Sequence, residues 1–354
     1  MISRYIFFGA FVIFIVFMLA MDLGVFHKKD HVIKMKEAAT WTAIWVLLAL
    51  AFSLILRFHA EWIHGITNLD ELMAYVSGTD LAAKMNPALG YAANLEIYRS
   101  EMTTQYLAGY FLEESLSIDN IFVMIMIFAS FGVDKKYYHR VLFWGIIGAV
   151  VMRFIFIFAL GAIVERFSWI LAIFGVILII SGIKMFREKN EEKIDTANHP
   201  AVKFCSKHFR VSPTGEGHNF FTHIDGKRYI TPLFVVLLVI EFSDIIFAVD
   251  SIPAVFSVTT DTFIVFFSNI FAIMGLRSLF FLLSDITDKF WLLKYGLGCL
   301  LIFIGLKMIA HEFFNITIGT VASLIIILGI LIVSIILSTI IPQKNKSINN
   351  LKNA

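Results

Sequence analysis

The sequence predicts an all-α membrane protein, a polytopic bundle of about nine transmembrane helices containing an inverted repeat of three helices plus three. Three observations carry that prediction. Of 354 residues, 59% are hydrophobic and 16% charged, and the mean hydropathy is +0.82, too apolar for an ordinary soluble chain. Nine apolar runs are long enough to cross a bilayer core of about 30 Å, which takes roughly 20 residues. Two of those runs hold the same acidic pattern, and carboxylates in lipid cost roughly 2.5–3.5 kcal/mol each on insertion scales, so their default reading is functional.

The runs cover about residues 2–22, 40–58, 104–131, 140–163, 168–186, 230–258, 262–284, 291–310 and 318–341. The first has the length of a signal peptide, but only Arg4 precedes its apolar stretch and no small-residue cleavage site follows. It passes straight into Asp22-Leu23-Gly24 and Lys28-Lys29, so a retained helix is expected. With the second run it makes a unit over 1–58. Residues 59–103 hold Glu61, Asp70, Glu71, Asp80, Glu96 and Glu101 and predict one or two short surface helices. Residues 104–186 form one three-helix repeat and 230–310 the other, separated by a mixed-charge loop over 187–229. A last helix over 311–341 and a tail over 342–354 complete the chain. Thirty-seven Phe and only six Pro favour long helices in lipid.

Orientation follows from the basic residues on alternate loops. Twenty of the twenty-nine Lys and Arg fall on one side, including Lys28, Lys29, Lys135, Lys136, the eight of 187–229 and the C-terminal lysines. The other side holds Arg4, Arg57, Lys84, Arg99 and Arg166. The expectation is an N-terminus outside and a cytoplasmic C-terminus.

The acidic pattern reads Glu113, five residues, Asp119, Asn120, Ile121 in the third run, and Asp244, five residues, Asp250, Ser251, Ile252 in the sixth. Each is followed by one intramembrane arginine, Arg153 or Arg277, and then by a Gly-x-Lys-Met end at 182–185 or 305–308. A three-span repeat must reverse its orientation in the membrane, and secondary transporters with inverted repeats bind substrate near the midplane between the halves. Six residues on a helix turn through about 600°, so the two acids of a pair do not share a face unless the helix unwinds. Pro253 is placed to break the sixth helix just past Asp250 and free carbonyls as ligands.

Hard divalent cations such as Mn²⁺ and Mg²⁺ take oxygen ligands, and Glu113, Asp119, Asn120, Asp244, Asp250 and Ser251 offer them without a thiol. Asp22, Glu114, Ser117, Glu241, Ser243, Arg153 and Arg277 are further candidates, with Asp119 and Asp250 ranked first among the acids. Competing readings are that each acid simply pairs with an arginine to lock helices, or that the acids relay protons. Lys184 and Lys307 are expected to snorkel rather than serve the site. Cys205, Cys299 and the scattered His199, His208, His218 and His223 lack metal-site or disulfide spacing. No Walker A motif or HExxH occurs, so ATP-driven transport and zinc protease chemistry have no support, and no enzymatic activity is expected.

At these residues the chain resembles the TerC family. The stretches 109–120 (GYFLEESLSIDN), 241–254 (EFSDIIFAVDSIPA) and 268–277 (SNIFAIMGLR) look like its signatures, and the likeness to the Alx-type bacterial members runs over nearly the whole chain. The resemblance implies a multi-pass inner-membrane protein tied to manganese export, with a link to tellurite resistance, and places the family's intramembrane acids at Glu113, Asp119, Asp244 and Asp250. The expected function is secondary export of a divalent ion, Mn²⁺ first, with a proton as coupling ion and no permanently bound cofactor. The alternative is a membrane-embedded accessory protein for metal loading or assembly of exported proteins.

Overall fold

Long apolar stretches in which only Pro253 falls inside a helix fold here as long helices: α1 (Ile2–Phe26), α2 (Met35–His59), α5 (Gly90–Ser130), α6 (Lys135–Arg166), α7 (Ile170–Arg187), α9 (Pro232–Phe256), α10 (Thr262–Ser284), α11 (Leu293–Phe314) and α12 (Thr320–Ile340). Between them lie the short helices α3 (Glu61–His64), α4 (Leu69–Val76) and α8 (Pro200–His208), and an antiparallel hairpin of β1 (Phe221–Ile224) and β2 (Lys227–Ile230). This computed structural model describes residues 2–26, 35–167, 169–187, 200–212, 219–224, 226–284, 292–314 and 316–341. Among the described residues, seven helices, α2, α6, α7, α9, α10, α11 and α12, are long and apolar enough to cross a membrane. In α1 that apolar stretch is the shorter Ile6–Ala20, and α5 carries Glu113, Glu114 and Asp119 in its apolar half. The chain is an all-α, multi-pass integral membrane protein.

Two expectations change. The sixth run does not break at Pro253: α9 stays helical to Phe256, and the missing Pro253 N–H costs a single intrahelical bond, to the carbonyl four residues back, close to the helix end. The segment 59–103 is not merely a surface appendage. From Gly90 onward it is the start of α5, whose 41 residues span about 60 Å, roughly twice the bilayer core. The loop over 187–229 also holds more order than its composition suggests, since α8 and the hairpin pack Cys205 and Ile230 into a buried cluster with Phe128 and Val236.

α10 is the axis of the bundle, buried on nearly all sides and packed by α2, α5 and α6. Its phenylalanines interlock with those of α1 and α2, as in the pairs Phe11–Phe267 and Phe52–Phe271, with ring centroids 4.4 and 4.9 Å apart. Exposed Ile13, Phe17, Leu47, Leu54, Ile155, Ile180 and Ile325 face outward, as lipid contact requires.

α7 and α11 make the most intimate helix pair. They run antiparallel, and a Cβ at Gly175 would stand 2.8 Å from the Gly305 carbonyl oxygen, one at Gly182 2.7 Å from that of Gly298. Small residues let backbones approach this closely where lipid supplies no hydrophobic drive. Gly305→Val is therefore expected to separate the pair at a cost of about 1–3 kcal/mol. It should lower the thermal unfolding midpoint in detergent, and an unchanged midpoint would refute the close packing.

At the end of the bundle where α5 begins, buried polar groups pin α3 and α4 to the transmembrane helices. Asp261 caps α10 by accepting from Phe263 N (2.9 Å), receives Tyr75 Oη–H (2.7 Å) and lies 3.3 Å from His64 Nε2. His64 Nδ1 in turn lies 2.8 Å from Tyr98 Oη. Burial pushes the Asp261 carboxyl up, but the adjacent His64, the tyrosine hydroxyl and the helix N–H groups outweigh it and hold it at about 2. A carboxyl whose folded pKa lies below its unfolded one stabilises above about pH 4 and loses that contribution as pH falls toward 2. Asp261→Asn is accordingly expected to cost about 2 kcal/mol at pH 6 and little at pH 2.5, read as the difference in unfolding midpoint at the two pH values. A difference independent of pH would show that the charge contributes nothing.

Candidate functional site

Helical periodicity sorts the acids. Glu113, Ser117 and Asn120 stand at i, i+4 and i+7 of α5, and Asp244, Ala248 and Ser251 occupy the same steps of α9. All six are buried. The two helices are antiparallel: Gly109 abuts Val255, and Met124 and Ile240 line one crevice. In that register Glu113 lies about level with Ser251 and Asn120 with Asp244. Asp244 is the midpoint of α9, about 18 Å from either end.

Arg153 of α6, 1% exposed, enters between the two faces. Its Nη1 donates to Glu113 Oε1 and to Asn269 Oδ1 of α10 (2.7 Å), and its Nη2 lies 3.4 Å from Asp244 Oδ1. Glu113 is fully buried and Asp244 4% exposed, so the guanidinium is the counter-ion of both. The other halves of these groups face nothing: Glu113 Oε2, Asp244 Oδ2, Ser117 Oγ, Ser251 Oγ and Asn120 Nδ2 are buried without a hydrogen-bond partner. Buried polar atoms are nearly always satisfied, and five orphans along the buried faces of α5 and α9 point to an unmet ligand or water.

The remaining candidates divide. Asp250 is turned away from Arg153; it hydrogen-bonds Ser181 and feels Lys184, both on α7. Asp119 is likewise off the Glu113 face and only partly buried. Six residues of spacing cause both displacements. Among the described residues no three His, Cys, Asp or Glu side chains converge on one point, so the expectation of four carboxylates gathered in a single site is not met in this state. Ser243 spends its hydroxyl on Val239 O (2.8 Å).

Glu241 lies against Gly148 of α6, where a Cβ would collide with its Oε1 and oblige the carboxylate to move. With Asp244 and Arg277 it lines a crevice between α5, α6, α9 and α10. Glu114 stands apart, beside Gly275 and near Tyr106 and Tyr110, with Oε2 buried. Lys307 donates to Ser257 O (3.0 Å) near the end of α9, outside that cluster. Asp22 lies on α1 where side chains fall outside the described residues, as do His199 and His218; Cys205 is buried in α8, and His208 and His223 are exposed. The residue that sequence reasoning missed is Asn269, whose signal was the 268–277 signature stretch and its single buried amide.

The family description "Integral membrane protein TerC family" matches residues 98–346. The chain is 42% identical over 333 residues to the "Uncharacterized membrane protein STKORF319" of Myxococcus xanthus, covering 94% of this chain and 91% of the relative. It is 38% identical to the "Putative membrane-bound redox modulator Alx" of Salmonella typhi over 332 residues, covering 94% and 93%. The protein of that same description from Escherichia coli strain K12 is 38% identical over 331 residues, covering 93% of each. No solved structure matches the chain.

Proposed function

The chain belongs to the TerC family of integral membrane proteins, and from that premise we propose that it is a secondary transporter exporting a divalent cation, Mn²⁺ first, across the bacterial inner membrane. The observation that carries the proposal is the buried cluster in which Glu113, Asp244, Ser117, Asn120 and Ser251 hold unmet polar atoms near the Arg153 guanidinium. Oxygen donors of this kind suit Mn²⁺ and Mg²⁺. Glu113, Asp244 and Arg153 sum to one negative charge, so a divalent ion is attracted but not trapped, as a transporter requires. The cation approaches past Glu241, meets Asp244, Asn120 and Ser251, and draws the carboxylates off Arg153. Protons moving the other way supply the driving force.

The relatives' printed description as a redox modulator finds two free thiols here, Cys205 buried in α8 and Cys299 exposed on α11. They lie on separate elements and are unbridged, so metal handling accounts for more of the buried polar groups than thiol chemistry does.

The test is flux in proteoliposomes across a panel of divalent ions, with and without a pH gradient. Mn²⁺ movement that a proton gradient accelerates is the expected result. Absence of flux for every ion, with a stoichiometric partner protein retained through purification, would favour an accessory role in metal loading or assembly instead.

A further inference from the structure

We propose that the groove between α8 and the neighbouring ends of α5 and α9 holds an acyl chain of an anionic phospholipid, with Lys203, Lys207 and Arg210 receiving its phosphate. The site stands apart from the transport reading and needs no transported ion.

The groove lies at the end of the bundle opposite His64 and Asp261. Phe131 closes α5 there and Pro232 opens α9, so the groove sits where two long apolar helices leave the bilayer. Val202 and Ser206 of α8 and the following Val211 complete it, around a volume of about 300 Å³. Apart from Ser206 and the Cys205 thiol its lining is apolar. A hydrocarbon chain suits such a space better than water does, because the walls offer water few hydrogen bonds.

Ordered backbone holds the walls in place. Val211 runs parallel beside Ile230 of β2: Ser212 N donates to Ile230 O and Ile230 N to Arg210 O, both at 2.9 Å. From Ile230 the chain passes through Thr231 straight into α9. α8 is anchored by Ala201 and Cys205, which are buried in one cluster with Phe128 and Val236. The groove is therefore part of the fold rather than a gap between loose side chains.

Charge selects the headgroup. Lys203 and Lys207 stand one turn apart on α8, and Ser206 at the groove lies in the same sector of the helix. Arg210 follows two residues after the helix ends. All three bases are exposed, and among the described residues none of them forms an ion pair. Residues 200–212 contain no Asp or Glu. Other bases at this end have partners: Lys136 lies 3.3 Å from Asp134, and Arg228 stacks on Phe221. Free cations beside an apolar slot at the bilayer boundary complement a phosphate that carries an acyl chain. Exposed Phe204 and Phe209 flank these bases, the composition of an element lying in a membrane surface. An acidic soluble protein would meet the lysines but leave the apolar slot unfilled.

The test is native mass spectrometry of the full-length protein in detergent micelles doped with phosphatidylglycerol or phosphatidylcholine of identical acyl chains. The parent should retain one phosphatidylglycerol per chain about tenfold more tightly than phosphatidylcholine. Replacing the three bases together (Lys203→Gln, Lys207→Gln, Arg210→Gln) should remove that preference. Ser206→Trp fills the groove from an exposed position and should expel the lipid although all three bases remain. If that variant fails to fold, Val211→Trp fills the same space from the segment after α8. Glycerol 3-phosphate, which has the phosphate but no chain, should not displace the bound lipid. Equal retention of the two lipids by the parent, or a phosphatidylglycerol preference that survives both the charge and the filling variants, overturns the site. Displacement by glycerol 3-phosphate would make the phosphate the whole ligand and also overturn it. A parent dimer that Ser206→Trp splits, with no lipid retained, would show a second copy of the chain as the occupant instead.

Discussion

Replacing Arg153 with alanine is expected to destabilise the protein by about 3–5 kcal/mol, the usual cost of stripping a buried charge of its partner. The size follows from where the charges stand. Glu113 is fully buried and Asp244 nearly so, and both rely on one guanidinium whose Nη1 also holds Asn269. Without it, two buried carboxylates are left with no opposing charge. The thermal midpoint in detergent should drop well below that of the parent, and less protein should reach the membrane. Adding Glu113→Gln to Arg153→Ala should restore part of the loss, because the orphan charge goes with it. Arg153→Lys should fall between, since an ammonium cannot bridge two acids as a planar fork does. The comparison is Arg57→Ala. Arg57 pairs with Glu96 at the surface, both more than a third exposed, and water screens such a pair to little net stabilisation. Equal midpoints for the Arg153 and Arg57 variants would show that the buried cluster does not hold the helices together.

How much of this was legible in the sequence depends on the scale of the signal. Spans longer than a bilayer thickness were, because every backbone group in lipid must bond within its own helix, leaving little freedom in where a 20-residue apolar run goes. The helix bounds of α9 and α10 accordingly fall within a few residues of those expected. The N-terminal extension of α5 was not, since residues 90–103 are polar and only the continuing 3.6-residue period marks them as helix. The hairpin of β1 and β2 had a usable sign in Asp225-Gly226 between FTHI and KRYI, the strongest short hairpin signal, but four-residue strands vanish in a composition reading.

The site shows the same division. That Glu113 and Asp244 matter, and that each half brings an arginine, could be read from the repeat. Which acid faces which helix could not be read from the six-residue spacing that first caught attention. It follows from the i, i+4, i+7 series of Glu113, Ser117 and Asn120, a weaker pattern because two of its members are uncharged. That one arginine serves acids from both halves is a tertiary fact, set by the depth of α6 between α9 and α10.

Asp244→Asn is expected to abolish Mn²⁺ efflux from loaded cells while leaving the protein in the membrane, and Asp250→Asn to leave much of that efflux. Sequence spacing alone ranked these two the other way round. Asparagine matches aspartate in shape, so packing around position 244 survives; what is lost is a negative charge at the midpoint of α9, where attraction between ions is least screened. Arg153 keeps Glu113 and Asn269 as partners, so the fold keeps its counter-ion. The cluster then carries no net charge, and a divalent ion leaving water has little to compensate its dehydration. Asp250 is placed differently: it already has Ser181 as partner and Lys184 nearby, is partly exposed, and lies off the face that Asp244 shares with Ser251. Its replacement removes a charge beside the pathway rather than from the cluster. The measurement is the rate of Mn²⁺ loss from preloaded cells, normalised to the amount of each variant in the membrane. Efflux equally absent from both variants would return Asp250 to the binding site and require α9 to unwind or rotate during transport. Efflux intact in Asp244→Asn would leave the buried acids with a structural task alone, and the cation pathway would have to lie elsewhere in the bundle.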